Sequence, residues 1–391
     1  MKHVILRLLL VLSVISSFCL QTASANTALN MDSINSQVDK YFKSSSTVGG
    51  SLVIAKDGQI VYSRDYGFAI KSKQTPVTEK TYFRIASVTK MVSAIGIMQL
   101  NEQGMLDLDE DISSYLGYGI VNPYYPDIPI TLRQSMSHTT SLSQGGGYSS
   151  IRNTIHDMLS SEVRHRSNFT KKQPGEAYSY SNFGAGLMGS IMEAVSGVSV
   201  NRYMTEHVFE PLDIDAAYAA CFLKEPEYIA SIYENGQLSK SASKYIAEAY
   251  EDTADPERHY RITVGDLFIR SRDMAKLVSL LCGDGSYQGA RILMPESVEM
   301  MRMDQRDVNA SVTGKSPYGL CVNRMENLLD GHWLYGHQGM AIGLICNAYY
   351  DPETGFTFVL FTNGCSQVRQ DRISILARRL FEYTYPLFAK E

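Results

Sequence analysis

The strongest constraint on the fold is the position of the strand-like segments, which lie at both ends of the chain. Residues 51–63 read as a hairpin around Asp57-Gly58, a dipeptide that is typical of tight turns. Residues 344–361 read as two further strands, and residues from about 105 to 300 are mostly helical in pattern. The sequence therefore predicts an α/β (α+β) fold. One antiparallel sheet is built from both termini and flanked by helices, with a mostly helical region inserted between.

The first 25 residues are predicted to be a secretory signal peptide rather than part of the fold. Lys2 and Arg7 give a positive start, residues 8–20 are an apolar run, and Ala23-Ser24-Ala25 is a small-residue cleavage site. The alternative is a membrane anchor, but a spanning helix needs about 20 apolar residues and this run is shorter. We therefore expect one domain over residues 26–391, an exported protein in the periplasm or outside the cell, and no stable membrane span.

Composition and cysteine spacing argue against several classes of function. Charged residues make up 20% of the chain, the formal net charge is −5, and no basic stripe marks a nucleic-acid partner. The cysteines show no Cys-x-x-Cys spacing and the histidines no metal-binding pattern, so we expect no metal and no cofactor. Five of the six cysteines follow the signal segment. Because that count is odd, at least one thiol is unpaired, and buried single cysteines are the preferred interpretation.

Ser87-Val88-Thr89-Lys90 opens a predicted helix over residues 87–103 and pairs a hydroxyl with an amine. Residues three apart share a helix face, so the two groups can meet. A lysine activates a serine only if burial or nearby positive charge lowers its pKa. A serine at the start of a helix also lies beside exposed backbone N–H groups, which favour a developing oxyanion. The pair is therefore a candidate nucleophile and base.

The order of three short motifs separates this pair from similar sequences elsewhere in the chain. Ser87-x-x-Lys90 comes first, Tyr180-x-Asn182 second, and His337-x-Gly339 third. Ser241-x-x-Lys244 also fits the first pattern and Tyr233-x-Asn235 the second, but Ser241 follows both tyrosines. We interpret Ser241 and Lys244 as a solvated surface. The order of the other three motifs matches the active-site elements of serine β-lactamases and penicillin-binding proteins.

The chain resembles the class C β-lactamase-like family well beyond these motifs. The most specific stretch is residues 174–184, which read Pro-Gly-Glu-Ala-Tyr-Ser-Tyr-Ser-Asn-Phe-Gly. The resemblance covers roughly residues 51–363 and implies a β-lactamase/transpeptidase-like fold. The other matching segments are Phe83-Arg84-Ile85-Ala86, residues 106–112, Val195-Ser196-Gly197, Pro211-Leu212, Tyr335-Gly336, Asp351-Pro352 and Thr362-Asn363.

The resemblance also implies catalytic roles for the matching residues. Ser87 would form the acyl-enzyme, and Lys90 and Tyr180 would share proton transfer. The backbone N–H groups of Ser87 and of Met340, which follows Gly339, would form the oxyanion hole.

Two further positions line the implied pocket, and one of them departs from the family pattern. Asn182 would hydrogen-bond Lys90 or the amide of the substrate. His337 stands where other members often carry a lysine. A histidine near its ordinary pKa of about 6.5 is mostly neutral at pH 7 and supplies less charge to a carboxylate. A second departure is Ser141, which replaces a family glycine after His138, so this turn is expected to differ; His138 itself is interpreted as structural.

These observations predict a serine hydrolase that acts through an acyl-enzyme on D-amino-acid peptides, as a D,D-carboxypeptidase does, or on small esters. A small-molecule or cell-wall peptide substrate is therefore the expected partner. Arg324, shortly before the third motif, is a candidate to bind a substrate carboxylate through its planar guanidinium, and a surface arginine is the equal alternative. Two other functions stay open: a β-lactamase that hydrolyses penicillins or cephalosporins, and a penicillin-binding sensor that acylates without turnover.

Overall fold

The computed structural model describes residues 29–145, 147–148, 150, 152–162, 166–308, 317–326, 328–329 and 331–389. The predicted signal peptide and its cleavage site lie outside these residues. Residues 38–391 form one compact unit, and the described part of the other unit, residues 29–37, carries the beginning of the first helix.

The described residues contain sixteen strands, and seven of them form one sheet in the order β11-β12-β13-β14-β1-β2-β3. The strands are β1 (Gly49–Lys56), β2 (Gln59–Ile70), β3 (Thr75–Pro76), β4 (Tyr82–Arg84), β5 (Ala216–Ala217), β6 (Ile232–Glu234), β7 (Gln237–Lys240), β8 (Phe268–Arg270), β9 (Ser286–Tyr287), β10 (Ala290–Arg291), β11 (Asn323–Met325), β12 (Leu334–Ala341), β13 (Leu344–Asp351), β14 (Phe356–Thr362), β15 (Arg369–Gln370) and β16 (Ile373–Ser374).

The large sheet confirms the prediction of an antiparallel sheet built from both ends of the chain. β1 pairs with β2 on one side and with β14 on the other, so that Val53 lies opposite Val359. Asp57 and Gly58 have φ of 50° and 77°, which are the left-handed values that a tight hairpin turn requires. Every residue of β13 and β14 is buried. The centre of the sheet is therefore covered on both faces, as in a layered fold.

The helices cover this sheet and fill the middle of the chain. They are α1 (Met31–Ser44), α2 (Val88–Glu102), α3 (Ile112–Leu116), α4 (Leu132–Ser137), α5 (Ile155–Leu159), α6 (Asn182–Ser196), α7 (Val200–Met204), α8 (Ala242–Ile246), α9 (Ile262–Gly265), α10 (Ser271–Cys282), α11 (Pro295–Arg302), α12 (Gln305–Val308) and α13 (Ile375–Phe388).

Two helices, α2 and α6, form the interior on which the site is built. α2 is buried from Val88 to Leu100, and α6 is buried from Phe183 to Glu193. Their apolar residues face all directions instead of forming one stripe, which is the pattern of a helix enclosed on every side. α2 packs between β12 and β13 of the sheet and α6. The beginnings of both helices are therefore held rigidly with respect to each other.

The structure differs from the sequence-based expectations in two places. The region from about 105 to 300 also contains six short strands, and one of them, β8, pairs with β4, which ends three residues before Ser87. The sequence pattern also predicts a last helix over about residues 371–384. This helix begins at Ile375, because β15 and β16 occupy residues 369–374. The helix predicted over residues 87–103 spans Val88–Glu102.

Two whole-chain expectations can be compared with the described residues. No single helix among the described residues is long and apolar enough to cross a membrane. Two helical segments joined by a bend, residues 182–196 and 200–212, reach the required length and apolarity only when they are taken together. The first of them is the buried helix α6. Cysteines 221, 282, 321, 346 and 365 are all free. Three of them are buried, whereas Cys221 is exposed and Cys365 is half-buried, so the preferred interpretation holds for three of the five.

Candidate active site

Ser87 lies at the end of a strained turn that joins β4 to α2. Ala86 has φ of 46°, a left-handed conformation that costs a residue with a side chain on the order of 1 kcal/mol. Ser87 itself has helical angles, φ −62° and ψ −9°, and its hydroxyl does not cap the helix. The first helical N–H groups bond instead to backbone oxygens, as Thr89 does to Ala86 at 2.9 Å. The serine hydroxyl is therefore left available to other groups.

Lys90 lies one turn into α2 with its side chain fully buried. Its Nζ donates to the Ser87 Oγ at 3.0 Å and to the backbone oxygen of Val264 at 2.9 Å. Burial lowers the pKa of Lys90 to about 7; the neighbouring Asp266 opposes this shift and Arg84 adds to it. A substantial fraction of Lys90 is therefore neutral at pH 7 and able to accept a proton from Ser87.

Tyr180 approaches Ser87 from the turn before α6. Its hydroxyl donates to the Ser87 Oγ at 2.9 Å, and the Lys90 Nζ lies 5.2 Å from the centre of its ring. Desolvation raises the pKa of Tyr180 above its ordinary value of 10.0, even though 41% of the residue is exposed. The hydroxyl consequently stays protonated near neutral pH. In this state Tyr180 is a proton donor beside the serine, while Lys90 is the group suited to take a proton up.

The ring of His138 packs against the ring of Tyr180. The two rings lie 4.2 Å apart between centres, and the His138 Nδ1 accepts a bond from the backbone N–H of Ser181 at 3.3 Å. Burial holds the pKa of His138 well below its ordinary value, so the ring is neutral. These contacts agree with the structural role expected for this histidine.

The turn after His138 keeps a glycine-like conformation without a glycine. Ser141 has φ of 63°, in the left-handed region. Its hydroxyl accepts a hydrogen bond from the Asn122 Nδ2 at 2.9 Å, and its backbone oxygen accepts one from Thr170 at 2.8 Å. The turn therefore retains the backbone conformation that glycine favours, with Asn122 and Thr170 holding it in place.

The third motif lies on β12 and packs directly against the turn that carries Ser87. A Cβ on Gly339 would lie 2.2 Å from the backbone oxygen of Ile85 and 3.1 Å from the backbone nitrogen of Ser87. Any side chain at this position would push the strand away from the serine. Glycine therefore lets β12 approach closely, and Met340, the next residue, lines the same cavity as Ser87.

His337 is buried on β12 in a neutral form. Its Nδ1 lies 2.7 Å from the backbone oxygen of Gln338 and its Nε2 lies 3.0 Å from the Tyr318 hydroxyl. The carbonyl accepts only, so Nδ1 carries the proton and Nε2 accepts from Tyr318. Burial and the nearby Lys90 lower the pKa of His337 to about 3. The side chain consequently supplies hydrogen-bonding geometry but no positive charge near pH 7.

These groups border a cavity of about 620 Å³. Five residues selected from the sequence line it: Ser87, Tyr180, Asn182, His337 and Met340. The Asn182 Oδ1 is buried and has no hydrogen-bond partner among the described residues. Lys90 donates hydrogen bonds to Ser87 and Val264 rather than to Asn182.

The cavity also contains five residues that sequence reasoning missed: Tyr178, Asn323, Gln338, Arg369 and Arg372. Arg369 and Arg372 are exposed and lie at the β15–β16 turn, where Asp371 and Arg372 have left-handed φ values of 49° and 71°. The Gln338 Nε2 donates to the backbone oxygen of Arg372 at 2.6 Å and fastens this turn to β12. The only feature of the sequence that could have pointed to this turn is the pair of arginines, three residues apart, after the last long strand.

The structure does not bring Arg324 into this cavity. Arg324 follows Asn323 on β11, and successive residues of a strand face opposite sides, so Asn323 lines the cavity and Arg324 faces away from it. Arg324 lies 3.8 Å from Asp304 and stacks on the rings of Trp333 and Tyr335 at 5.0 and 5.8 Å. The prediction that Arg324 lies in the pocket for a substrate carboxylate is therefore wrong, and its side chain contacts Asp304, Trp333 and Tyr335 instead of being a free surface arginine.

The described residues contain one group with side chains placed to hold a metal ion: His332, Asp351 and Glu353. None of the three lines the cavity at Ser87. Asp351 instead organises the β13–β14 turn, where it accepts bonds from the backbone of Glu353 at 2.9 Å and from the Thr354 hydroxyl at 3.0 Å.

Comparison with solved structures shows the same fold in proteins of low sequence identity. The octameric penicillin-binding protein homologue from Pyrococcus abyssi aligns over 92% of this chain and 78% of its own, with a TM-score of 0.69 and 23% identity. The D-amino acid amidase from Ochrobactrum anthropi SV3 in complex with D-phenylalanine aligns over 91% and 99%, with a TM-score of 0.68 and 21% identity. The predicted fold class is thereby confirmed.

Sequence comparison leads to the same group of proteins. The putative penicillin-binding protein PbpX of Bacillus subtilis (strain 168) is 26% identical over 247 residues, which cover 62% of this chain and 56% of that relative. The curated relatives are matched over between 33% and 56% of their own length. A family model described as Beta-lactamase matches residues 34–380, and the chain therefore belongs to the β-lactamase family of serine hydrolases, as its motifs predicted.

Proposed function

We propose that the protein hydrolyses its substrates through an acyl-enzyme formed on Ser87. The observation that carries this proposal is the convergence of two groups on one oxygen. The Ser87 Oγ lies 3.0 Å from the Lys90 Nζ and 2.9 Å from the Tyr180 hydroxyl. A nucleophile within hydrogen-bond distance of both a base and an acid is the arrangement that covalent catalysis requires.

Acylation begins with neutral Lys90. Its Nζ takes the proton from Ser87 as the Oγ attacks the carbonyl carbon of the substrate, which forms the C–O bond and places a negative charge on the carbonyl oxygen. The backbone N–H groups of Ser87 and Met340 are the proposed donors to that oxygen, and the close approach of β12 at Gly339 supports this assignment. The Tyr180 hydroxyl then donates its proton to the leaving group and regains one from protonated Lys90.

Deacylation reverses this path with water in place of the leaving group. Water attacks the acyl carbon, its proton passes to the Lys90–Tyr180 pair, and the ester bond to Ser87 breaks as the Oγ regains a proton. Both groups are returned to their starting states. Because both steps use the same groups, a turnover enzyme needs no additional base.

The proposed substrates are D-amino-acid peptides that end in a carboxylate, and small esters. His337 is neutral, so it does not replace the lysine that other family members carry at this position. Arg369 and Arg372 line the cavity and are exposed, and we assign the recognition of a carboxylate to them instead of to Arg324. The names of the amidase and penicillin-binding neighbours agree with this class of substrate. Export by the segment 1–25 is part of the same proposal.

Intact-mass spectrometry tests the proposal and separates it from the sensor alternative. The wild-type protein is mixed with a fluorophosphonate in one experiment and with a penicillin in another, and its mass is followed over time. We expect a stoichiometric mass gain at Ser87 with the fluorophosphonate and a transient gain with penicillin. Ser87→Ala should show neither. A penicillin adduct that persists indicates a sensor, and the absence of labelling on Ser87 contradicts the acyl-enzyme proposal.

A further inference from the structure

A histidine and two carboxylates meet at the β13–β14 turn, outside the Ser87 cavity. His332 lies two residues before β12, Asp351 is the last residue of β13, and Glu353 lies in the turn that leads to β14. One possible ligand atom from each side chain lies within 4.8 Å of the other two. No short sequence motif contains all three residues, so the spacing of the histidines gave no sign of this group.

The distances within this group fit ligands that share an ion better than they fit a hydrogen-bonded pair. The His332 Nδ1 lies 3.3 Å from the Asp351 Oδ2 and 3.7 Å from the Glu353 Oε2. A charge-assisted hydrogen bond between such atoms is about 2.7–2.9 Å long. Two ligands at about 2.1 Å from one tetrahedral zinc ion lie about 3.4 Å apart. Both measured distances are close to this value, so one ion fits between the three side chains.

The carboxylate of Asp351 is fully buried, and no lysine or arginine of the described residues forms an ion pair with it. It accepts hydrogen bonds from the backbone of Glu353 and from the hydroxyls of Thr354 and Tyr385, which are all neutral donors. Its ion-pair partner, His332, carries a charge only when it is protonated. Because a buried carboxylate is costly without a cation, a divalent ion would balance the charges of Asp351 and Glu353.

The surroundings of the group supply both orientation and access. The bonds from Thr354 and Tyr385 fix the direction of the Asp351 carboxylate, as the outer neighbours of metal ligands commonly do. The side chains of His332 and Glu353 are 33% and 70% exposed. Glu353 also lines an open cavity of about 640 Å³. An ion is therefore able to enter from water and reach a buried ligand that is already oriented.

We propose that His332, Asp351 and Glu353 bind one divalent transition-metal ion such as Zn²⁺, which fastens the segment before β12 to the β13–β14 turn. The ion is bound by the His332 Nδ1 and by one oxygen of each carboxylate, and water completes the four positions. The imidazole nitrogen disfavours Ca²⁺ and Mg²⁺, which prefer oxygen ligands. The site is structural, since none of its ligands lines the Ser87 cavity, and it does not depend on the acyl-enzyme function.

Calorimetric titration of zinc chloride into the full-length protein, free of tags and treated with a chelator, tests the proposal. We expect one ion per chain. His332→Ala and Glu353→Gln should each weaken binding by at least about tenfold, because the loss of a group that only orients a ligand already costs about 10- to 100-fold in affinity. His207→Ala, an exposed histidine outside the group, should bind zinc as the wild type does. Cys221→Ser, which removes the exposed thiol, should do the same.

Thermal unfolding gives a second readout and shows that each variant is folded without zinc. Zinc at about 100 times its Kd should raise the melting temperature of the wild type by about 5 °C and leave that of His332→Ala unchanged. The same concentration of Ca²⁺ should have no effect on either protein. The proposal is overturned if zinc binds with a Kd above about 1 mM, if His332→Ala binds it as tightly as the wild type, or if Ca²⁺ stabilises the protein as much as zinc does.

Discussion

The chain carries the pattern Ser-x-x-Lys at the beginning of two helices, and the two environments have little in common. Lys90 is fully buried, whereas Lys244, in the short helix α8, is exposed. The Ser241 hydroxyl caps its helix by accepting a bond from the backbone N–H of Lys244 at 3.2 Å. The Ser87 hydroxyl caps nothing and instead meets Lys90 and Tyr180.

The difference between the two pairs shows that the four-residue spacing alone does not make a nucleophile. At Ser241 the serine oxygen accepts a hydrogen bond from a backbone N–H group, which is the usual role of a serine at the start of a helix. At Ser87 the left-handed conformation of Ala86 lets backbone oxygens accept the hydrogen bonds of the first helical N–H groups. The serine hydroxyl is therefore not used as a helix cap and is available to Lys90 and Tyr180. Burial then lowers the pKa of Lys90 to about 7, which is the second requirement.

Replacement of the two serines should give the largest contrast. Ser87→Ala is expected to lower kcat/KM for nitrophenyl acetate by about 10³-fold or more, because no second nucleophile is available. Ser241→Ala should leave the activity unchanged and lower the free energy of unfolding by about 1 kcal/mol through loss of the cap. Steady-state kinetics and urea unfolding measure the two effects. Near wild-type activity in Ser87→Ala would contradict the assignment of the nucleophile.

Replacement of the proton-transfer groups should come next in size. Lys90→Ala and Tyr180→Phe are each expected to lower the acylation rate by about 10² to 10⁴-fold, the usual range for general acid–base groups. Because both act on one proton path, the double variant should lose little more than the worse single variant. Lys244→Ala is the matched control and should have no effect. Fully additive losses, measured by stopped-flow acylation, would show that Lys90 and Tyr180 act independently.

The cavity arginines should have a smaller effect, restricted to charged substrates. Arg369→Ala and Arg372→Ala are each expected to raise KM for a peptide ending in a carboxylate by about tenfold, the value of a charge-assisted hydrogen bond. KM for a neutral ester should not change. Arg324→Ala, on the other face of β11, should leave both KM values as they are. An effect of Arg324→Ala on the peptide alone would restore the original assignment.

The sheet could be predicted from the sequence because its signals are local. Asp57-Gly58 marks the first hairpin, and the apolar runs that became β13 and β14 mark the second. The beginning of the last helix could not be predicted in the same way. β15 and β16 replace its expected first turn, and their pairing depends on left-handed conformations at Asp371 and Arg372. Aspartate is enriched in this conformation but arginine is not, so the pair gives no clear signal for the turn.

The sequence predicted those residues of the site that belong to short motifs. The motif order selected Ser87, Tyr180 and His337, which the structure brings to one cavity. Arg369 and Arg372 were missed because they reach it through the long-range attachment of the β15–β16 turn to Gln338. Arg324 was misplaced by a single residue, since the register of β11 directs Asn323 toward the cavity and its neighbour away from it.

We expect burial of Lys90 to make Ser87 reactive, and the pH dependence of Ser87 labelling measures this effect. Only the neutral amine accepts the serine proton, so the rate of reaction with a neutral fluorophosphonate should increase with pH and reach half its maximum near pH 7, where the lowered pKa of Lys90 lies. His337 should add no further transition above pH 5, since its pKa is about 3. A midpoint near the ordinary lysine pKa of about 10.4, or a rate that does not change between pH 5 and 9, would contradict the account.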